Sequence, residues 1–223
     1  MVYVHPLIVV RHAQSEWNAA GRWQGWADPP LSSAGEDQAR RAGAVLGEAI
    51  AAGDPPGPIT AVWSSDLRRA HHTARLVAGA AGWDGPLHEV HDLREHDVGD
   101  WSGLTRDEIE RRWPGLIRAW GDGRLPATPG GETRVDFDRR VRHAIARVAT
   151  ATEATGPGSS IVVTHGGVLR AVARWLGQPE QPFSQLEGMV IAGGGGPRPR
   201  YLRAAALLHG WADHRREAAA QRE

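Results

Sequence analysis

The stretch LIVVRHAQSEWN, residues 7–18, contains a short apolar run that ends in a charged pair. Residues 7–10 predict a fully buried strand. Arg11 and His12 follow at once, and they cannot belong to the apolar core because burying unpaired charge is costly. In open α/β sheets, ligands bind beyond the carboxyl ends of the strands. We therefore expect Arg11 and His12 to lie in a ligand-binding site.

Residues 161–165, Ile-Val-Val-Thr-His, repeat this pattern later in the chain. The run ends in His165, and Gly166 and Gly167 follow before an apolar helical segment. Glycine lets a ligand approach the backbone closely, and the free N–H groups at the start of a helix favour an anion. The second histidine is therefore expected beside an anion-binding helix start.

A third apolar run, residues 59–63, leads into a helix that begins with cations. Ser65 or Asp66 is typical of an N-cap, which places Arg68 and Arg69 in the first turn. A cation there opposes the helix dipole and costs up to ~1 kcal/mol, unless an anion binds between the arginine and the helix start. The three strand ends together therefore indicate one anion site, whereas the alternative interpretation treats each charge as a solvated loop residue.

Strands and helices alternate along the chain, which predicts a parallel sheet covered by helices on both faces. We expect an α/β fold, a three-layer α/β/α sandwich with a mostly parallel central sheet and one antiparallel edge strand from a terminal hairpin. The length fits a single domain over residues 1–223, with a polar tail at about 209–223. The expected strands cover residues 3–10, 59–63, 87–90, 161–164, 189–192 and 201–208. The expected helices cover residues 33–51, 66–81, 106–112, 132–152 (apolar face Val135, Val141, Ile145 and Val148) and 168–176, with a loop at 122–131.

The composition excludes several classes of protein. The chain of 223 residues has no cysteine and a formal net charge of zero. Disulfides and thiolate chemistry are therefore excluded, and no overall positive field exists to hold nucleic acid. No apolar stretch approaches the ~20 residues that span a bilayer, and the apolar start reads as a strand rather than a signal peptide. The expectation is a cytoplasmic protein without membrane or nucleic-acid partners.

Six segments that occur in one order along the chain carry a family resemblance. They are Arg11-His12 with Asn18, residues 21–25 (GRWQG), residues 64–74 (SSDLRRAHHTA), residues 93–95 (LRE) with 99–104 (GDWSGL), residues 130–133 (GGET) and residues 164–167 (THGG). In this combination they resemble the histidine phosphatase superfamily, the phosphoglycerate-mutase-like proteins.

The resemblance implies a nucleophile and an acid/base residue. His12 matches the family's nucleophile, which forms a phosphohistidine, and a neutral imidazole suits attack on a phosphate dianion because it brings no negative charge. Glu95 matches the residue that protonates the leaving group and then activates water. The chain is therefore expected to be an enzyme, a histidine phosphatase that acts on a small phosphorylated metabolite.

The resemblance also implies the groups that hold the phosphoryl group while its charge redistributes over its oxygens. Arg69 is preferred to Arg68 because the family's arginine directly precedes an alanine, here Ala70. The full expected set is Arg11, Arg69 and His165 as charge stabilisers, with Asn18, Gln24, Gly25 and Gly166 as further substrate contacts.

A histidine-rich segment invites a metal-site interpretation, although the family needs no metal. Residues 88–97 contain His88, His91, Asp92 and His96. His-x-x-His spacing in a strand or loop does not bring both rings to one face, as it would in a helix. We therefore expect a solvated loop there, with no metal ion and no cofactor.

Departures from the family pattern favour a phosphatase over a mutase. Ala13 stands where the family usually has glycine, and some phosphatase branches of the family share this alanine. Val98 and Gly167 replace a tyrosine and an asparagine of the cofactor-dependent mutases, and the segment between the acid and the second histidine is shorter. By this comparison the chain lacks the parts that hold a bisphosphate intermediate, so the resemblance implies a phosphomonoester hydrolase.

Two alternatives stay open, a cofactor-dependent phosphoglycerate mutase and a non-catalytic module of the same fold that binds a phosphorylated ligand. The substrate is not set by the sequence, although residues 99–105 and 130–136 are most similar to broad-specificity and glucosyl-phosphoglycerate phosphatases. Trp23, Trp26 and Trp101 are candidates for the wall of the pocket, and a homodimer is left open.

Overall fold

The structure, a computed structural model, describes residues 5–53, 57–193 and 199–207. The expected polar tail and the first residues of the expected strand at 3–10 lie outside these ranges. The strands are β1 (His5–Arg11), β2 (Ile59–Ser64), β3 (Leu87–Glu89), β4 (Ser159–Thr164), β5 (Glu187–Gly193) and β6 (Arg200–Ala206). The helices are α1 (Glu16–Ala19), α2 (Ser33–Ala51), α3 (Arg68–Ala80), α4 (Arg106–Arg112), α5 (Leu116–Gly121), α6 (Arg134–Glu153) and α7 (Gly166–Leu176).

The strands form one six-stranded sheet in the order β3-β2-β4-β1-β5-β6. β4 pairs in parallel with both β1 and β2, and β2 pairs in parallel with β3. The terminal hairpin β5–β6 joins the sheet through β5, which runs antiparallel to β1. The carboxyl ends of β1, β2 and β4 therefore meet at one edge of the sheet, and Arg11, Ser64 and Thr164 end these three strands.

Helices cover both faces of the sheet, because the inner strands bury side chains toward both sides. In β1, Ile8 and Val10 pack in the cluster that includes α2 and α3. Leu7 and Val9 point the other way and pack with α6 and α7. The expected α/β/α sandwich with a mostly parallel sheet is therefore confirmed.

Helix α3 begins differently from the expectation. Its N-cap is Leu67, which makes no side-chain cap, so the expected caps Ser65 and Asp66 are wrong. The Asp66 carboxylate instead accepts from Nε and Nη2 of Arg94 at 2.8 and 2.6 Å, and this ion pair competes with capping. Arg69 still lies in the first turn of the helix.

Helix α6 also begins later than expected. Thr133 is its N-cap, with the Thr133 hydroxyl accepting from the Asp136 N–H at 3.1 Å. Val135 was expected on the apolar face, which is wrong: it is 73% exposed. Val135 therefore faces solvent in the first turn of the helix, and the buried face starts at Phe137.

A smaller hydrophobic cluster lies apart from the two main ones. Val98, Trp101, Ile109 and Ile117 form it, with α4 and α5 as its outer boundary. Helix α5 was not expected, because six residues bounded by Pro114-Gly115 carry no clear helical pattern. Within the described ranges, none of the helices has the length and apolar character to cross a membrane.

Candidate active site

His12 follows the last residue of β1 and is buried at 3% exposure. Its Nδ1 lies 2.6 Å from the carbonyl oxygen of Ala13. A carbonyl can only accept a hydrogen bond, so Nδ1 carries the proton and Nε2 keeps its lone pair in the neutral ring. The Ala13 N–H donates to Thr73 Oγ1 at 3.1 Å, which fixes this loop against α3.

The His12 ring is held in its neutral form. Its pKa lies well below the ordinary histidine value, first because burial penalises the charged ring and then because Arg69 and Arg11 repel a further positive charge. A neutral imidazole with a free Nε2 lone pair is the nucleophilic form of histidine.

His165 is the N-cap residue of α7 and is fully buried, with its ring centroid 5.2 Å from that of His12. Burial, followed by the charge of Arg69, also lowers its pKa well below the ordinary value. Neither ring nitrogen has a hydrogen-bond partner among the described residues. A buried polar group without a partner costs roughly 1–3 kcal/mol, so these nitrogens fit a ligand group that would bind them.

Two arginines supply the positive charge, Arg69 from a buried position and Arg11 from a partly buried one. Arg69 is 1% exposed and donates from Nη1 to the Ala27 carbonyl at 2.7 Å and from Nη2 to the Gly25 carbonyl at 2.8 Å. Arg11 donates from Nη1 to the Phe183 carbonyl at 2.8 Å. Burial lowers the pKa of both groups, that of Arg69 to about 10, so both remain cations at neutral pH.

Glu95 lies opposite these groups against the start of α7. Its Oε1 accepts from the His96 N–H at 2.9 Å, and its Oε2 accepts from the Gly167 N–H at 3.0 Å. A Cβ atom on residue 167 would stand 2.0 Å from Glu95 Oε1. Only glycine therefore leaves room for the carboxylate, which explains the departure at this position.

Of the four expected substrate contacts, Asn18, Gln24 and Gly25 line the same cavity, whereas Gly166 does not. The Ser15 N–H donates to Asn18 Oδ1 at 3.1 Å, and the single hydroxyl proton of Ser15 can be donated to Gln24 Oε1 at 2.8 Å. Both amide oxygens are then engaged, and both NH₂ groups remain as donors. Gly25 lines the cavity beside them, and its carbonyl holds Arg69. Gly166 is the first residue of α7, directly after His165.

The cavity has a volume of about 600 Å³. Arg11, His12, Arg69 and Glu95 lie in its wall, together with Trp23 and Trp120. Of the three tryptophans considered from the sequence, Trp23 lines the cavity, whereas Trp101 is fully buried behind it. Trp26 does not line the cavity either. Its indole N–H donates to the Glu95 carbonyl at 2.8 Å.

Several cavity residues were not found from the sequence. Two of them, Arg134 and Arg170, lie close to the recognised segments 130–133 and 164–167, but no local pattern marks these residues or the others as part of a cavity wall. The others are Trp120, Phe137, Arg174 and Glu180.

The histidine-rich segment 88–97 does not gather into a shared ligand set. His88 packs on Trp63, His91 contacts Trp26, and His96 stacks on Phe137 with 4.6 Å between ring centroids. In the part of the chain that the structure describes, no group of three or more His, Asp or Glu side chains is placed to hold a metal ion.

Comparison with known proteins explains this arrangement. The family model described as "Histidine phosphatase superfamily (branch 1)" matches residues 7–190. The chain belongs to the histidine phosphatase superfamily. The resemblance inferred from the six segments is thereby confirmed.

Individual relatives include both phosphatases and mutases. A glucosyl-3-phosphoglycerate phosphatase of Mycolicibacterium vanbaalenii is 37% identical over 191 residues, which cover 83% of this chain and 80% of the relative. A 2,3-bisphosphoglycerate-dependent phosphoglycerate mutase of Methylorubrum extorquens is 34% identical over 185 residues, covering 81% of this chain and 84% of the relative. The solved structure of a mycobacterial glucosyl-3-phosphoglycerate phosphatase in complex with VO3 superposes with a TM-score of 0.73 at 29% identity, covering 89% of this chain and 97% of the other.

The lowered pKa values of the two histidines predict how stability depends on pH. The unfolded chain binds protons at these rings below about pH 6.5, whereas the folded protein excludes them until its lower pKa values are reached. The histidine phosphatase should therefore lose stability as pH falls below about 6.5, by up to ~1.4 kcal/mol per pH unit for each histidine. Thermal unfolding of wild type and His165→Gln across this range measures the effect. The variant should lose less stability in acid, and identical slopes would contradict the account.

The close approach of Glu95 to Gly167 predicts that even alanine is harmful there. Gly167→Ala should displace the carboxylate and lower phosphate-ester turnover by roughly 10²-fold, the scale expected when a reacting group moves by about 1 Å. Steady-state kinetics measure the loss. Gly79→Ala is the matched control, because a Cβ on Gly79 of α3 meets nothing within 4 Å. Equal activity of the two variants would rule out the steric role of Gly167.

Proposed function

We propose that this histidine phosphatase hydrolyses phosphate monoesters of small metabolites through a covalent phosphohistidine at His12. The observation that carries the proposal is a neutral, buried imidazole with its tautomer fixed by the Ala13 carbonyl, placed among two cationic arginines. The comparisons support the reaction class, because the relatives include phosphatases over most of this chain.

In the first step, the Nε2 lone pair of His12 forms an N–P bond while the ester P–O bond breaks. The electron pair of that bond leaves with the alkoxide oxygen, and Glu95, entering the step as the carboxylic acid, gives this oxygen a proton. Arg11, Arg69 and His165 stabilise the charge on the phosphoryl oxygens, and Asn18 and Gln24 offer neutral N–H donors.

In the second step, the Glu95 carboxylate takes a proton from a water molecule whose oxygen attacks phosphorus. The N–P bond breaks, and its electron pair returns to Nε2 of His12. Inorganic phosphate is the product, and both groups regain their starting protonation states. The step needs no metal and no further cofactor, since the fixed cations and N–H donors provide the charge stabilisation.

The phosphatase assignment is favoured over the mutase by the surroundings of Glu95. The Glu95 carboxylate occupies the space that a side chain at residue 167 would need, so Gly167 allows it to contact the start of α7. Val98 contributes only an apolar side chain to the cavity wall. Neither residue offers a side-chain hydrogen bond to a second phosphate of a bisphosphate primer. The mutase remains the alternative, because relatives with that name match the chain at 34% identity.

The outer cavity supports a polar metabolite as substrate. Arg134 and Arg170 both line this part of the cavity. The Arg134 guanidinium lies 4.8 Å from the centre of the Trp120 ring, and the charge of Arg170 on α7 adds to the effect of burial in lowering the pKa of Arg11. These cations and aromatic faces suit a phosphate ester that carries hydroxyl groups or a second anionic group. The substrate in the name of the mycolicibacterial relative, glucosyl-3-phosphoglycerate, is of this kind. A cytoplasmic location stays a prediction from the sequence.

The nucleophile is tested by His12→Ala, which should lower turnover of an aryl phosphate by roughly 10³-fold or more because no attacking group remains. His143→Ala on the exposed face of α6 is the matched control and should behave as wild type. Rapid quenching of wild type should trap an acid-labile, base-stable phosphoenzyme that His12→Ala lacks. All reactions run in excess chelator. Full activity of His12→Ala, or loss of wild-type activity on chelation with recovery by one divalent ion, would contradict the mechanism.

The acid is tested by Glu95→Gln, which should slow the release of poor leaving groups most. Alkyl phosphates should lose roughly 10²–10⁴-fold in turnover, and aryl phosphates less, because an aryl oxide needs little protonation. Glu153→Gln, exposed at the end of α6, is the control. Phosphate release and phosphoglycerate interconversion with a bisphosphate primer are measured side by side. Interconversion that outpaced phosphate release in wild type would assign the mutase instead.

A further inference from the structure

The loop that carries Glu95 has little regular structure of its own. It follows β3 and contains two short 3₁₀ turns, one at His91–Leu93 before Glu95 and one at Gly99–Trp101 after it. A side chain on a loop keeps a productive position only when neighbouring groups fix the main chain beneath it. The fixing group here is Arg140, which lies on α6 at 15% side-chain exposure and outside the cavity wall.

Every N–H of the Arg140 guanidinium has an acceptor. Nη1 donates to the carbonyls of Asp92 at 3.0 Å and Arg94 at 2.7 Å. Nη2 donates to the Glu95 carbonyl at 2.8 Å and to Glu132 Oε1, and Nε donates to Glu132 Oε2 at 3.1 Å. An arginine has five such donors, and all five are used. One side chain therefore binds three carbonyls of a four-residue stretch, residues 92–95.

Glu132 extends this attachment to the other side of Glu95. Besides pairing with Arg140, its Oε1 accepts from the Asp97 N–H at 2.8 Å. The main chain is thus held both before and after residue 95 by groups on α6 or just before it. The ion pair also leaves no net charge beside the acid.

The flat shape of the guanidinium matters as much as its charge. Arg140 lies 4.9 Å from the Phe137 ring centroid and 5.8 Å from that of Trp26. The Trp26 indole N–H donates to the Glu95 carbonyl, the same oxygen that Arg140 binds. A lysine carries the charge but has three donors on a single nitrogen, so it cannot reproduce these contacts.

We propose that Arg140 is a positioning residue for proton transfer, which holds the main chain at residues 92–95 so that the Glu95 carboxylate stays against α7. The inference rests on the proposed role of Glu95 as acid and base. Among the described residues, the hydrogen bonds and the ion pair of Arg140 reach none of the phosphate-binding groups Arg11, Arg69, His12 and His165, and its charge, which lowers the pKa of His165, is kept in Arg140→Lys. Its loss should therefore impair protonation of the leaving group and leave phosphate binding intact.

The test is Arg140→Lys, assayed on phosphate monoesters with leaving groups of graded basicity. Turnover of alkyl phosphates should fall by roughly 10²-fold, the effect of a small misplacement, with a smaller loss for aryl phosphates. The inhibition constant of inorganic phosphate should stay at the wild-type value. Free guanidinium ion added to Arg140→Gly should restore part of the alkyl-phosphate activity.

Two controls separate positioning from general stability. Arg139→Lys changes an exposed neighbour on the same helix and should match wild type. Val148→Ala removes a buried contact of α6 and should lower the unfolding temperature without changing the dependence on leaving group. If Val148→Ala reproduced the steeper dependence, stability alone would explain Arg140 and the proposal would be wrong.

The comparison with Glu95→Gln distinguishes this proposal from the function on which it rests. If Glu95→Gln steepens the dependence on leaving group and Arg140→Lys does not, Arg140 has no positioning role and the phosphatase mechanism stands. If Arg140→Lys lowers the turnover of all esters by the same factor and binds inorganic phosphate more weakly, the proposal is also overturned. If Glu95→Gln leaves the dependence unchanged, the acid assignment fails and the positioning role fails with it.

Discussion

The site depends on the positive charge of Arg69, which is buried, and of Arg11, which is partly buried. Arg69 and Arg11 satisfy part of their hydrogen bonding with main-chain carbonyls of Gly25, Ala27 and Phe183, which carry no net charge. A carboxylate in those places would cancel the field that attracts an anion. Because the two guanidinium groups remain cations, the neighbouring His12 and His165 are kept neutral, by burial first and by repulsion second. In the proposed mechanism, the same electrostatics attract the phosphate group and keep His12 in the form that attacks it.

The parallel pairing of β1, β4 and β2 brings these groups together from distant parts of the sequence. The ends of these strands could be predicted, because continuous β-branched runs stop at residues that an apolar core would reject. Helix α5 could not be predicted because it is short. The side chains that reach the cavity from α6 and α7 could not be predicted either, since a helical pattern does not show which polar face meets a ligand. The cap of α3 was predicted wrongly for a related reason: a distant partner, Arg94, binds Asp66. Tertiary contacts override local preference at such positions.

Gly167 illustrates the limit of reading a motif by comparison alone. The sequence shows only that a polar residue of the mutases is missing, whereas the structure gives a steric reason, the Glu95 carboxylate that occupies the space of a side chain. The contact of the Gly167 N–H with Glu95 joins the helix that begins after His165 to the loop after β3. The contacts of Arg140 were similarly beyond the sequence, because a helix surface gives no sign that its arginine binds three carbonyls.

Thr73 gives the site a further property. Its hydroxyl accepts from the Ala13 N–H and donates to the Arg69 carbonyl, so the loop after β1 and the first turns of α3 form one unit with the sheet. The tryptophan-rich cluster around α4 and α5 is a separate hydrophobic unit that borders the cavity through Trp23 and Trp120. In the proposed mechanism, the residues that carry the bond-making chemistry and the aromatic residues that border the outer cavity therefore belong to different parts of the fold. If the proposed mechanism holds, substitutions in this second unit should alter which ester is accepted while the position of His12 is preserved.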